Sequence, residues 1–193
     1  MKTFALAGQT RTDLGKKATK AVRKAGNIPA ILYGGKEEIA FTVKKEDIRN
    51  LIYTPDIFVV ELTIDGKPYQ AIIQDLQFQP VTDEVLHMDF LQVFPDKAIT
   101  IEVPVKLEGH AEGVKQGGVL SLEIRKLRVK GLYSNVPERL TIDVTELGLG
   151  KTIQVGQLAF DNLEVMNAKN AVVCAVKLTR AARGAKAVAD AKK

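Results

Sequence analysis

Short apolar runs, most of them alternating with polar residues, constrain this 193-residue chain more than any other feature of its sequence. Successive side chains of a β-strand point to opposite sides, so alternation is typical of strands that bury one face. The runs in the first half of the chain are TFALAGQTR, IPAILYG, IFVVELTI, YQAIIQDLQFQP and VLHMDFLQV. Asp65-Gly66, between the third and fourth runs, is a hairpin-turn signal. This pattern predicts a compact, barrel-like β domain.

Two short helices are predicted between these strands. The first begins near Lys16 and ends before Gly26, because glycine commonly ends a helix and Pro29 prevents its continuation. The second is predicted over Lys44–Ile52, where Ile48, Leu51 and Ile52 form the apolar face.

The strand pattern starts again after Pro95-Asp96, which we interpret as a domain boundary. The later runs are AITIEVPVKL, VLSLEIRKLRVKGL, RLTIDVTEL and NAVVCAVKL, with a glycine-rich loop, EGHAEGVKQGG, among them. We therefore expect a mainly β (α+β) protein with an N-terminal β-barrel domain at residues 1–94 and a second β-rich domain at 95–179. Residues 180–193 are rich in alanine and lysine and are expected to form a basic, disordered tail.

Positive charge is concentrated in two segments. Residues 11–24 contain six Lys or Arg and one Asp, as do residues 177–193, whereas the whole chain has a net charge of only +5. On the predicted first helix the cations fall within an arc of about 120°: Lys16, Lys17, Lys20, Arg23 and Lys24. The opposite side holds small apolar residues: Ala18, Ala21, Val22 and Ala25. Such a stripe is either a solvated helix face or a surface for a polyanion, and the nearby Tyr33 favours a nucleic acid because it can stack on a base.

Other candidate sites are weaker. His87 and Asp89 share a strand face and would suit a metal or a His–Asp pair, but no third ligand stands at a suitable spacing. The single cysteine, Cys174, lies between apolar residues and is interpreted as a small buried hydrophobe. GLGKT, ending at Thr152, lacks the first glycine of a phosphate-binding loop because Thr145 occupies that position, so its glycines are assigned to a turn.

Location can also be predicted from the sequence. The apolar run near the N-terminus is only four residues long, too short for a signal peptide, and no stretch is long enough to span a membrane. A single cysteine excludes an intrachain disulfide, which fits a reducing cytosol. A cytoplasmic protein without a membrane partner is expected.

The residues from Arg11 to Gly34, with the pattern Arg-(x4)-Lys-(x2)-Thr-Lys-(x2)-Arg-(x4)-Ile-Pro-Ala-Ile-Leu-Tyr-Gly, resemble the signature of a bacterial ribosomal protein family. That family comprises the 5S-rRNA-binding proteins of the large subunit, and its two-domain members are called general stress protein CTC. QDLQFQP, VLHMDFLQV, EGVKQGGVLSLEIRKLRVKGL and NVPERLTIDVTEL continue the resemblance over about residues 1–178.

The resemblance implies a non-enzymatic, cofactor-free ribosomal protein that is monomeric off the ribosome. Its partners would be 5S rRNA, the large subunit and neighbouring ribosomal proteins. The RNA-binding positions that it implies are Arg11, Lys16, Thr19, Lys20, Arg23, Tyr33, Gln74, His87 and Asp89. Lys20 stands where the family often has arginine, and Phe78 and Gln79 replace a basic pair. The alternatives are an RNA-dependent protein–protein adaptor and an RNA-processing enzyme that uses His87 and Asp89.

Overall fold

The structure, a computed structural model, describes residues 1–179, and the chain divides into two units. The first unit comprises Met1–Ile99 with Leu132–Val136, and the second comprises Thr100–Gly131 with the chain from Pro137 onward. The predicted domain boundary between residues 94 and 95 stays a prediction. The expected disorder of residues 180–193 concerns a segment outside the described residues.

The first unit is a closed barrel of six strands with two helices. Its elements are β1 (Lys2–Thr10), α1 (Lys16–Lys24), β2 (Asn27–Tyr33), β3 (Ile39–Lys44), α2 (Arg49–Ile52), β4 (Phe58–Ile64), β5 (Lys67–Phe78) and β6 (Val85–Gln92). The strand order is β1-β3-β2-β6-β5-β4. Parallel pairing of β1 with β4, from Lys2 opposite Phe58 to Gly8 opposite Ile64, closes the barrel. The predicted N-terminal β-barrel is confirmed.

Large apolar side chains fill the interior of the barrel. Phe41 and Phe90 are fully buried, and their ring centroids lie 5.6 Å apart. Leu32, Leu62 and Met88 belong to the same core. Burial of each such side chain stabilises the fold by about 1.5–3 kcal/mol, so the core fixes which residues of every strand must point outward.

Two predictions for this unit need correction. Strand β3 was not predicted, although Ile39, Phe41 and Val43 alternate with polar or smaller residues. The second helix covers only Arg49–Ile52 instead of residues 44–52. Lys44 pairs with Asn27, and the Lys45 N–H donates to the Gly26 carbonyl at 3.2 Å. These two residues therefore take part in strand pairing instead of forming the start of the predicted helix.

The second unit is built on two small sheets. Its elements are β7 (Ala98–Glu108, whose first two residues belong to the first unit), α3 (Glu112–Lys115), β8 (Gly118–Leu122), β9 (Lys126–Leu132, whose last residue belongs to the first unit), β10 (Leu140–Asp143), β11 (Thr152–Gln154), β12 (Glu164–Val165) and β13 (Val172–Leu178). The sheet orders are β10-β7-β9-β12 and β11-β13-β8. Cys174 and Val176 pack with Val144 and Leu147. The predicted second β-rich unit and the mainly β fold class are confirmed by the strands within residues 1–179.

No helix within residues 1–179 is long and apolar enough to cross a membrane.

Candidate nucleic-acid interface

Helix α1 presents its basic residues to solvent. Five cations are exposed along its nine residues: Lys16, Lys17, Lys20, Arg23 and Lys24. No residue of α1 is buried, and only Ala18, Thr19 and Val22 are half-buried. The predicted apolar face is therefore too wide, because Ala21 and Ala25 are exposed. The helix lies on the barrel surface beside β2, where only a narrow line of its side chains is covered.

The first turn of α1 is connected to the end of β1 through Arg11. The Arg11 backbone N–H donates to the Ala40 carbonyl at 3.0 Å, which extends the β1–β3 pairing by one residue. One terminal nitrogen of the guanidinium donates to Thr19 Oγ1 at 3.3 Å, and this hydroxyl donates to the Gly15 carbonyl at 2.8 Å. Arg11 and Thr19, both predicted site residues, therefore lie together at the start of the helix.

The last turn of α1 is connected to strand β6. Nε of Arg23 donates to the Leu86 carbonyl oxygen at 3.0 Å. Leu86 directly precedes His87, so this hydrogen bond places the end of the helix beside the strand that carries two other predicted residues. Lys20 lies between Thr19 and Arg23, and Lys16 precedes Thr19 in the first turn; in the described part of the chain neither lysine forms an ion pair.

His87 and Asp89 face outward from β6, because Met88 and Phe90 between and beyond them are fully buried. His87 Nδ1 lies 2.6 Å from Asp89 Oδ1. An ionised carboxylate can only accept a hydrogen bond, so Nδ1 carries the donated proton and Nε2 lies on the opposite side of the ring. The pair is a fixed unit with one ring nitrogen available to a partner.

The strands beside β6 add further polar groups to this outer face. Asp75 and Gln77 of β5 lie directly opposite Asp89 and His87 in the sheet. Tyr33 of β2 is near the two carboxyl groups: burial, and then the negative charges of Asp89 and Asp75, raise the pKa of its phenol above the ordinary value. Tyr33 therefore keeps its proton, and can donate it in a hydrogen bond, throughout the neutral pH range.

Unlike the other predicted site residues on the barrel strands, which pair with a residue of a neighbouring strand, Gln74 has no partner in the β5–β6 ladder. Ile73 pairs with Phe90 and Asp75 pairs with Asp89, so Gln74 is the extra residue of a β-bulge. Its side chain is exposed, and within the described residues it makes no hydrogen bond to the His87–Asp89 pair.

Asp75 and Gln77 were missed as candidates from the sequence. Their alternation in QDLQFQP shows that they share a strand face. Only the register of β5 against β6 brings them opposite Asp89 and His87, and register depends on long-range pairing.

We call the two parts together the helix–strand surface: the exposed cations of α1 with Arg11 and Thr19, and the outer face around Tyr33, Asp75, His87 and Asp89. The helical part suits phosphate groups. The strand part is acidic and rich in hydrogen-bonding groups, so it suits hydroxyl and amino groups instead of phosphates. Among residues 1–179 there is no group of three or more His, Cys, Asp or Glu residues arranged to hold a metal.

The remaining candidates from the sequence lie in the second unit and are structural. Cys174 is fully buried, and burial raises the pKa of its thiol, so its interpretation as a buried hydrophobe is confirmed. Gly150 has a φ of 75°, and the Lys151 N–H donates to the Gly148 carbonyl at 3.2 Å. Gly148 and Gly150 therefore lie in a turn, as predicted, and strand β11 begins at Thr152.

Comparison with known proteins covers both units. Residues 6–90 match the model of the Ribosomal L25p family, and residues 98–180 match that of the ribosomal protein TL5 C-terminal domain. The large ribosomal subunit protein bL25 of Parabacteroides distasonis is 64% identical over 192 residues, covering 97% of this chain and 99% of the relative. The bL25 of Porphyromonas gingivalis strain ATCC 33277 is 64% identical over 187 residues, covering 96% and 97%. That of Bacteroides fragilis strain ATCC 25285 is 55% identical over 194 residues, covering 98% and 99%.

Proposed function

The chain belongs to the ribosomal L25p family, whose members are proteins of the large ribosomal subunit, and from this premise we propose that it is a structural, non-catalytic component of that subunit that binds 5S rRNA through the helix–strand surface. As a ribosomal component it acts in the bacterial cytoplasm. Contact of the second unit with neighbouring ribosomal proteins is part of the same proposal.

One observation carries the proposal of RNA binding: a helix with five exposed cations is hydrogen-bonded to the strand that holds the His87–Asp89 pair. Lys16 and Lys20 stand one turn apart, so both can contact phosphates along one strand of a nucleic acid. Release of counterions from those phosphates would supply most of the affinity and would make it dependent on salt.

The strand part of the surface would supply the selectivity. Tyr33, His87 and Asp89 offer a phenol, a ring nitrogen and a carboxylate oxygen, which suit ribose hydroxyls and base edges. Helical RNA shows its 2′-hydroxyls and base edges in a wide, shallow groove, and the 2′-hydroxyls distinguish it from DNA. A surface that reads phosphates on one side and hydroxyl or amino groups on the other is suited to structured RNA.

The test is binding of the full-length protein to 5S rRNA, measured by fluorescence anisotropy at several salt concentrations, with a transfer RNA and a DNA duplex as competitors. We expect 5S rRNA to bind much more tightly than either competitor and the affinity to fall steeply with salt. Equal affinity for all three nucleic acids would contradict selective binding. Sedimentation with the large subunit in the absence of RNA binding would retain the ribosomal role and reject 5S rRNA as the partner.

A further inference from the structure

We propose that Arg23 is a positioning residue: by bonding to the Leu86 carbonyl it holds α1 at a fixed angle beside His87 and Asp89, so that the helix and the strand can bind one RNA together. This inference rests on the proposed function, and it gives Arg23 a role other than direct contact with phosphate.

Helix α1 is weakly held by other means. None of its residues is buried, and a nine-residue helix is too short to be stable alone in water. Its N-cap residue is Gly15, which has no side chain to cap the first turn. The orientation of the helix therefore depends on a small number of specific contacts.

The carbonyl oxygen of Leu86 is a hydrogen-bond acceptor that lies outside the regular pairing of the barrel strands. Along β5 and β6, Gln77 pairs with His87 and Phe78 pairs with Val85, so Leu86 is the extra residue of a β-bulge. The extra residue of a bulge is left out of the ladder. Pairing of β2 with β6 begins only at Met88. The Leu86 carbonyl therefore lies outside the β5–β6 and β2–β6 ladders, and Arg23 Nε donates to it at 3.0 Å.

Two contacts fix the direction of the helix axis. Arg11 bonds to Thr19, and Arg23 bonds to Leu86. Thr19 and Arg23 are separated by four residues, or about 6 Å along the axis. The half-buried side chains of α1 lie on a narrow line beside β2. The two hydrogen bonds add fixed points at two positions along the axis, and so hold Lys16 and Lys20 in a defined position relative to the His87–Asp89 pair.

Three substitutions separate positioning from charge. In Arg23→Gln, the amide nitrogen stands the same number of bonds from Cα as Arg Nε, so the donor is kept and the charge is lost. Arg23→Lys keeps the charge but has no donor at that atom. Arg23→Ala loses both. Lys20→Ala is the matched control for a phosphate contact.

The first measurement is hydrogen exchange of the α1 backbone amides in the free, full-length protein. We expect exchange to accelerate at least tenfold in Arg23→Ala and to return to within about threefold of the wild type in Arg23→Gln. Unchanged exchange in Arg23→Ala would overturn the inference, whatever the RNA result. The exchange experiment therefore tests the positioning role even if 5S rRNA proves to be the wrong partner.

The second measurement is 5S rRNA affinity as a function of salt. We expect Arg23→Ala to weaken binding about tenfold without changing the slope of log K against log salt, and Arg23→Gln to restore most of the affinity. Lys20→Ala should reduce the slope by about 0.7–0.9, the value for one phosphate contact. If Arg23→Ala reduces the slope by that amount and Arg23→Gln binds no better, Arg23 contacts phosphate and the inference is wrong. Failure of the wild type to bind 5S rRNA would reject the proposed function itself.

Discussion

His87 Nδ1 lies 2.6 Å from Asp89 Oδ1 on the outer face of β6, between the buried side chains of that strand. The carboxylate fixes both the orientation of the ring and the position of its proton, so Nε2 is presented in a defined direction. Fixed orientation matters because a binding group that is already held in place loses less entropy when its partner arrives.

Asparagine at position 87 should show which ring nitrogen contacts the RNA. His87→Asn keeps a donor near the place of Nδ1, and so keeps a partner for Asp89, but it removes Nε2. We expect it to weaken 5S rRNA binding about tenfold, as much as His87→Ala does. Asp89→Asn should weaken binding through misorientation of the ring, with folding unchanged by circular dichroism. Wild-type affinity in His87→Asn would show that Nε2 has no role.

Lysine-to-alanine substitutions should separate phosphate contacts from general charge. Lys16→Ala and Lys20→Ala should each lower the magnitude of the salt slope of 5S rRNA binding by about 0.7–0.9, and the double variant by about twice as much. Lys151→Ala removes an exposed lysine in the second unit and is the matched control, with no expected change in slope. Equal slopes for all the variants would mean that α1 does not contact phosphates.

Tyr33 should ionise at a higher pH than an ordinary tyrosine. Burial, Asp89 and Asp75 raise the pKa of its phenol, so the folded state keeps this proton to a higher pH than the unfolded state does. The free energy of unfolding is therefore unaffected by this group below about pH 10, and it falls as the pH rises above that value. The tyrosinate absorbance lost in Tyr33→Phe should have a midpoint above pH 10, and Asp75→Asn should lower that midpoint. A midpoint at or below 10 in the wild type would contradict the prediction.

Cys174 should be unreactive in the folded protein. It is fully buried, and burial raises the pKa of its thiol, so neither access nor thiolate is available to a thiol reagent at neutral pH. We expect labelling by a disulfide reagent at pH 8 only after denaturant is added, at one thiol per chain. Rapid labelling without denaturant would show that the second unit opens readily.

Gly8 should not tolerate a side chain. A Cβ atom at Gly8 would lie 2.6 Å from Cδ2 of Phe41, which is fully buried in the barrel. Gly8→Ala should lower the free energy of unfolding by about 1–3 kcal/mol, the usual cost of overpacking. The cost should be smaller in a Phe41→Leu background, measured as a double-mutant cycle by urea denaturation. Additive effects of the two changes would rule out the contact.

The sequence by itself determined five of the six barrel strands, the basic helix and the polar positions. Alternation around Met88 and Phe90 was enough to place His87 and Asp89 on one face, because side-chain direction in a strand is a local property. The cationic stripe of α1 followed from helical periodicity in the same way. The short motifs were also sufficient to indicate the ribosomal family.

Only the tertiary structure decided which groups lie next to one another. Asp75 stands opposite Asp89, and Arg23 reaches the carbonyl of Leu86, because of strand register and two β-bulges. Lys44 and Lys45 likewise take part in strand pairing instead of the predicted helix. Strand β3, which was not predicted from the sequence, is one of the six strands of the barrel. These features depend on contacts between residues far apart in the chain, so no local pattern contains them.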